Sequence, residues 1–350
     1  MSIPDRKPIF RGRKAWWWAT GLVLLVFLAW FYLFGLRLVY RQWGYLFLKA
    51  VPTEWPAGAP EQIRSQIGDL TGKMVWSSSR TGTHQLFMLS LPDLRLYQLT
   101  DHPHISYYPR ISPEGQRLVF ARSQRPWVSE RDQAPWDIYL LPLNSGQERL
   151  AARNGNFPQW LPDGEHILFL RQNAVVIMDL NNGREKVIFD GGRPPWEGEP
   201  STPELCPWDP TRLIVTLRGK TAGVFILDLK DGAATRVSGT GCEGTWRPGS
   251  REGVWVENGG RGGTHLLASP ADRIARRIFM DLPGTFSHEY FPRFSADGRW
   301  LVWGASAGDH EHDIADYEIF LWQVGQPWEK AVRLTYNTAN DRWPDIHLGR

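Results

Sequence analysis

The sequence predicts an all-β fold: a six-bladed β-propeller preceded by an N-terminal transmembrane helix. Three observations carry this. A phrase made of a proline, an apolar pair, a Pro-Asp-Gly-like turn and a short apolar run returns five times after residue 100. Its anchors Pro109, Pro158, Pro203, Gly244 and Pro292 lie 41 to 49 residues apart, the spacing of a four-stranded blade rather than of a helical solenoid. A run of 22 residues without charge, Ala15 to Leu36, stands ahead of the repeats, enough to cross a hydrocarbon core of about 30 Å as a helix.

The apolar run carries Trp16, Trp17, Trp18 at one end and Trp30, Phe31, Tyr32 at the other, where amphipathic rings favour the membrane interfaces. It is longer than the apolar core of a signal peptide and is followed by no A-x-A-like site, so an uncleaved anchor is expected. Arg6, Lys7, Arg11, Arg13 and Lys14 precede it, against Arg37, Arg41 and Lys49 after it. That bias places residues 1–14 in the cytoplasm as a basic tail and the rest of the chain outside, in the periplasm of a bacterial inner membrane. Residues 37–71 follow as a juxtamembrane segment and Pro-rich linker, in which Val51 to Pro60 is expected to be an extended, semi-rigid spacer.

The overall charge of +3 comes from the N-terminus. Without the eight Lys/Arg and the single Asp of residues 1–50, 32 basic and 36 acidic side chains remain of the 40 and 37 in the whole chain. No basic face for nucleic acid is implied. The two cysteines fall at opposite ends of the first strands of neighbouring blades. At about 3.3 Å per residue that offset exceeds the Cα separation a disulfide tolerates, so two free thiols are expected.

Within the clearest repeat, strands are expected at Tyr107–Ser112, Arg117–Ser123, Asp137–Leu143 and Gln147–Ala151. Hairpin turns form at Glu114-Gly115 and its counterparts Asp163-Gly164 and Asp297-Gly298. The third strands (Ile138 to Leu141, Val175 to Met178, Val224 to Leu227, Ile319 to Trp322) are apolar on both faces, as strands between stacked blades must be. Lys73 to Thr100 supplies strands two to four of a blade with no first strand, whereas Arg342 to Leu348 is a first strand with nothing after it. The last strand is therefore expected to complete the first blade and close the ring at six, leaving no open edge.

Pro-x-Phe/Trp-Ser-Pro-Asp-Gly, an apolar run, Ile-Tyr and a closing Arg-Leu-Thr, as in Val332-Arg-Leu-Thr335, resemble the TolB-type β-propeller repeat over residues 72–350. No TolB-like amino-terminal α/β domain is readable ahead of it. The resemblance implies a propeller that holds a partner outside the cytoplasm and brings no active site with it.

Candidate functional residues gather in the loops that leave one face of such a ring. Asp309, His310, His312, Asp313 and Asp316 combine imidazole and carboxylate in one loop, a donor set suited to a divalent metal ion; the alternative is a polar loop whose histidines bond the backbone. His102, His104, His288, Glu289, Asn340 and Asp341 are expected on the same rim, joined by loop tryptophans Trp127, Trp136 and Trp196, for which partner binding and packing are equally open. Gly304-Ala-Ser-Ala-Gly308 matches a nucleophile motif in letters only, because no helix follows Ser306. The function these features suggest is a membrane-anchored scaffold for an envelope protein, peptide or glycan. The rival is a metal-dependent lyase or hydrolase acting on a polysaccharide, with His310 and His312 as ligands.

Overall fold

The computed structural model describes residues 23–26, 28, 30, 45, 48–308 and 311–349. The transmembrane expectation falls largely outside these. Val23–Val26, Leu28 and Trp30 are helical, and among the described residues no helix is long and apolar enough to cross a membrane. The basic tail, Asp309 and His310 also lie outside the described residues.

Alternation of apolar strands with glycine turns builds six antiparallel sheets. Blade two holds β5 (Ser106–Ile111), β6 (Arg117–Ser123), β7 (Trp136–Pro142) and β8 (Arg149–Ala152). Blade three holds β9 (Asn156–Trp160), β10 (His166–Arg171), β11 (Ala174–Asp179) and β12 (Glu185–Asp190). Blade four holds β13 (Gly198–Cys206), β14 (Asp209–Gly219), β15 (Gly223–Asp228) and β16 (Ala234–Ser238). Blade five holds β17 (Cys242–Arg247), β18 (Glu252–Gly259), β19 (Gly263–Pro270) and β20 (Arg277–Met280). Blade six holds β21 (His288–Phe294), β22 (Trp300–Ser306), β23 (Tyr317–Gln323) and β24 (Val332–Arg333). The turn between β21 and β22 shows why Gly298 is required: its φ is +66°, and a Cβ there would collide with the Pro248 carbonyl of blade five.

Blade one closes the ring as expected. Its sheet runs β1 (Lys49–Val51), β4 (Leu96–Gln98), β3 (Gln85–Leu91), β2 (Gly72–Ser78), β25 (Asp341–Leu348), with Val75 opposite Asp345 and Ser77 opposite Arg342. The first and last parts of the chain thus share one sheet.

The linker departs from expectation. Residues 48–350 form one compact unit, and it includes the stretch expected as a spacer. β1 adds a fifth strand to the outer edge of blade one, and a helix α1 (Ala59–Ile67) follows. Gly58 in the left-handed region and Pro60 in the first turn start the helix. Ala59, Ile63 and Ile67, four residues apart, bury one face of it. Ile63 and Ile67 join Met74, Trp76 and Phe87 of blade one and Trp300, Val302 and Leu321 of blade six in one cluster. Trp55 donates its indole N–H to the Leu334 carbonyl at 2.7 Å. So short a helix is stable only through the surface it covers. Cys206 and Cys242 are free, and burial pushes the Cys206 thiol up to about 11.

One irregularity recurs in every blade. The innermost strands carry one non-glycine residue with positive φ each: Trp343 (56°), Tyr108 (53°), Phe157 (48°), Thr202 (44°), Glu243 (54°) and Phe291 (60°). Each sits where the pairing register shifts, as between Tyr107 and Arg110 or between Tyr290 and Arg293. A left-handed L-residue costs about 1–2 kcal/mol, so packing must hold each of them. Five of the six precede the proline that anchors the repeat, and Glu243 precedes Gly244. The anchor of the sequence phrase is therefore the hinge that turns one side chain per blade out of the regular pleat.

Candidate functional site

The six hinge residues meet unequally. Tyr108, Phe157, Phe291 and Trp343 gather ring to ring, with centroids 4.3 Å apart for Tyr108–Phe157, 4.5 Å for Tyr108–Trp343 and 4.3 Å for Phe291–Trp343. Blades four and five contribute Thr202 and Glu243 instead. Glu243 accepts the Phe291 backbone N–H at 2.6 Å, and its own N–H donates to Thr216 Oγ1 at 3.0 Å. Burial pushes its carboxyl up to about 7.

Two loops meet beside this collar. The β6–β7 loop, residues 124–135, reaches from blade two to the β22–β23 loop of blade six. Ser129 Oγ donates to Asp313 Oδ2 at 2.5 Å, and the Glu130 N–H donates to Asp313 Oδ1 at 3.2 Å. Arg131 pairs with Glu311 at 3.2 Å. The same loop touches blade four, where Gln133 Nε2 donates to the Pro200 carbonyl at 2.8 Å, and the hinge of its own blade, where Tyr108 Oη donates to the Glu130 carbonyl at 2.9 Å. Contacts to blades two, four and six bring this loop across the end of the ring.

Glu130 is the charged centre of the crossing. It is 3% exposed, and its Oε1 accepts from His312 Nδ1 at 2.5 Å. The Arg342 guanidinium of β25 lies 3.9 Å from Oε2. Burial alone would lift the Glu130 carboxyl, but the charge and hydrogen bond of His312, with Arg342 beyond, hold it at about 2. The His312 imidazole is correspondingly raised: burial lowers it, and Glu130 more than offsets that. Its ring lies edge-on to Tyr290 at 4.4 Å and Phe291 at 5.1 Å. Arg342, fully buried, donates to the His312 carbonyl and to Tyr107 Oη and lies 3.3 Å from Asp313 Oδ1. The cluster is thus an acidic side chain received by an imidazole and a guanidinium against aromatic walls. It is suited to holding charge and hydrogen-bonding groups.

The residues singled out from sequence divide. His312, Asp313 and Asn340 come together here, with Asn340 Nδ2 donating to the His312 carbonyl at 2.7 Å. Asp316 is exposed and does not join them. Among the described residues no three His, Cys, Asp or Glu side chains are arranged to hold a metal ion. Trp127 is 67% exposed, as a rim residue should be. Trp136 is not on the rim: it is fully buried, donates to the Asp132 carbonyl at 2.7 Å and packs on Tyr107 and Tyr108, because the loop it ends folds inward. Trp196 is half-buried against Phe189 and Phe225. His102 and His104 stack edge to face at 4.9 Å, half-exposed, with the His104 N–H donating to His102 Nδ1. His288 is half-buried. Asp341 is interior, paired with Arg80 at 3.0 Å and Asn337 at 2.7 Å.

Glu289 is interior as well, accepting the Leu282 N–H at 2.6 Å, and burial lifts its carboxyl to about 8. A carboxyl raised from 4.5 to about 8 binds its proton more tightly in the folded state. Its stabilising contribution is complete below pH 4.5 and is lost as pH rises through 8. Glu289→Gln keeps the acceptor and removes the charge. Urea unfolding at pH 9 is expected to show the variant about 1–3 kcal/mol more stable than the native chain, with little difference at pH 5. Equal stability at pH 9 would refute the lifted carboxyl.

Sequence inspection missed Glu130, Glu243, Tyr107 and Arg342. Part of the signal was present: the residue before each repeat anchor is the hinge, and the residue before that, Arg342 or Tyr107, faces the loop crossing.

No family model matches the chain. TolB from Acinetobacter baumannii superposes with a TM-score of 0.59 at 16% identity, over 80% of this chain and 67% of that one. A putative TolB from Agrobacterium tumefaciens gives 0.55 at 14% identity, over 81% of this chain and all of that one. The fold is that of a TolB-type β-propeller. In sequence, a tricorn protease homolog from Saccharolobus solfataricus is 27% identical over 133 residues, 35% of this chain. The chain spans only 12% of that relative's length.

Proposed function

We propose that this TolB-type propeller is a binding module, tethered to the bacterial inner membrane by its N-terminal apolar segment and facing the periplasm, which takes a protein partner at the loop-bearing end of the ring. The observation that carries the reading is the pair of exposed apolar side chains flanking the loop crossing. Trp127, 67% exposed, lies two residues before Ser129, and Ile314, 76% exposed, follows Asp313 directly. Ser129 and Asp313 are bonded to each other, so the two apolar groups flank one hydrogen-bonded contact. A tryptophan next to an arginine–glutamate pair is the composition of a binding hot spot. The tether rests on the 22 uncharged residues and on the basic residues ahead of them.

A photocrosslinking residue at position 127 of the full chain in cells is expected to give a discrete adduct. The same residue at position 182, in the β11–β12 turn on the other face, is expected to give none. Trp127→Ala should lower partner capture at least tenfold, about 1.4 kcal/mol or more, with an unchanged melting temperature. Equal adducts from both positions would overturn the assignment. A reporter active only outside the cytoplasm, fused after Arg350, tests the orientation.

A further inference from the structure

The segment Val128–Arg131 is held as a bound peptide is held. Val128 is 3% exposed. The Ser129 hydroxyl and the Glu130 N–H are both taken by Asp313, the Glu130 carbonyl by Tyr108, the Glu130 side chain by His312 and Arg342, and Arg131 by Glu311. Main chain and side chains of four consecutive residues are thus recognised by groups from blades one, two and six. Residues on either side, Gln124 to Trp127 and Asp132, are exposed. The closed arrangement leaves binding capacity unused: Glu130 Oε2, Arg342 Nε and Asn340 Oδ1 are buried without a hydrogen bond among the described residues. A buried polar group left without a partner is destabilising, and a carboxylate set squarely on Arg342 would satisfy two of them at once.

We infer that the loop-bearing end of the ring is a peptide-binding site for an apolar–hydroxyl–acidic–basic segment of a partner protein, occupied in this structure by the chain's own Val128–Arg131 as an internal, displaceable ligand. The inference rests on the reading of the ring as a binding module. A peptide rather than an acidic glycan fits because the site reads a main-chain N–H and a main-chain carbonyl, which a sugar chain does not offer. The tethered segment competes at an effective concentration of order millimolar, so a partner must add contacts, for which Trp127 and Ile314 lie alongside.

The test uses the full-length chain in detergent and a fluorescein-labelled synthetic peptide of residues 125–134, read by anisotropy. The double variant Ser129→Ala/Glu130→Ala, which weakens the internal ligand, is expected to bind this peptide at least about tenfold more tightly than the native chain. A peptide with glutamine at the position of Glu130 should lose at least about tenfold on the same variant. Equal binding by native chain and variant, equal binding of both peptides, or no saturable binding up to about 1 mM by a variant that still melts cooperatively would overturn the proposal. Stronger displacement by an acidic polysaccharide than by unlabelled peptide would also overturn the choice of ligand. Hydrogen exchange on the native chain guards against a variant that fails to fold. Amides 128–131 should exchange faster than those of β6 and β7, and exchange only through global unfolding would rule out a displaceable segment. Peptide binding without an adduct at position 127 in cells supports the site and overturns the cellular reading; an adduct without peptide binding overturns the site alone.

Discussion

Ending the chain at Asn340 is expected to abolish cooperative folding of the ring. The deletion removes β25, which pairs with β2 from Leu348 opposite Gly72 to Asp341 opposite Ser78. It strips the backbone donors and acceptors from the inner edge of blade one and leaves that edge open to other chains. It also takes away Trp343, whose ring packs on Tyr108 and Phe291, and Ile346, buried in the cluster that α1 covers. Losing one buried aromatic costs about 3–5 kcal/mol and one buried isoleucine about 2–5, against a typical total stability of about 5–15 kcal/mol. The truncated chain should show no sigmoidal urea transition by circular dichroism and should be cut by protease throughout residues 72–340. A cooperative transition near the native midpoint would mean that the ring does not depend on its closing strand.

The second large effect belongs to Arg342. Its guanidinium is fully buried and answers two carboxylates, Glu130 and Asp313, as well as the His312 carbonyl and Tyr107. Arg342→Ala leaves the buried Glu130 with His312 and the half-buried Asp313 with Ser129, both without the guanidinium. Breaking such a network from one side costs about 3–5 kcal/mol, mostly as the penalty of the unpaired charges. Urea unfolding at pH 7 should reveal that loss. Adding Glu130→Gln to Arg342→Ala should return at least 1 kcal/mol, because the pair is coupled. Strictly additive losses would show that the two side chains do not sense each other. Arg342→Lys is no conservative substitute, since one ammonium does not reproduce donors aimed at His312, Tyr107 and Asp313 together.

The repeat phrase was legible because its causes are local. Glu114-Gly115 and Asp297-Gly298 form turns where glycine alone suits the backbone, and the apolar runs Ile138 to Leu141 and Ile319 to Trp322 need neighbours on both faces, as stacked blades provide. The unmatched halves at 73–100 and 342–348 pair as they must to leave no edge. Linker and rim were less legible. Ala59, Ile63 and Ile67 gain their meaning only from the groove between blades one and six that receives them. Trp127 lies in the β6–β7 loop and Trp136 opens β7 directly after it, with the same chemistry, yet one is 67% exposed and the other fully buried, because hydrogen bonds at Ser129 and Glu130 fold the loop back between them.

Sequence alone determined six blades, their strands and turns and the closing strand, since all follow from period-two alternation, turn chemistry and the need to pair an edge. Tertiary structure alone decided that Glu130, His312 and Arg342 form one charged cluster. These residues come from blades two, six and one and are separated by up to 212 positions in the chain. Their meeting depends on how the closed ring aims each loop inward, a long-range constraint with no counterpart in the residues that flank them.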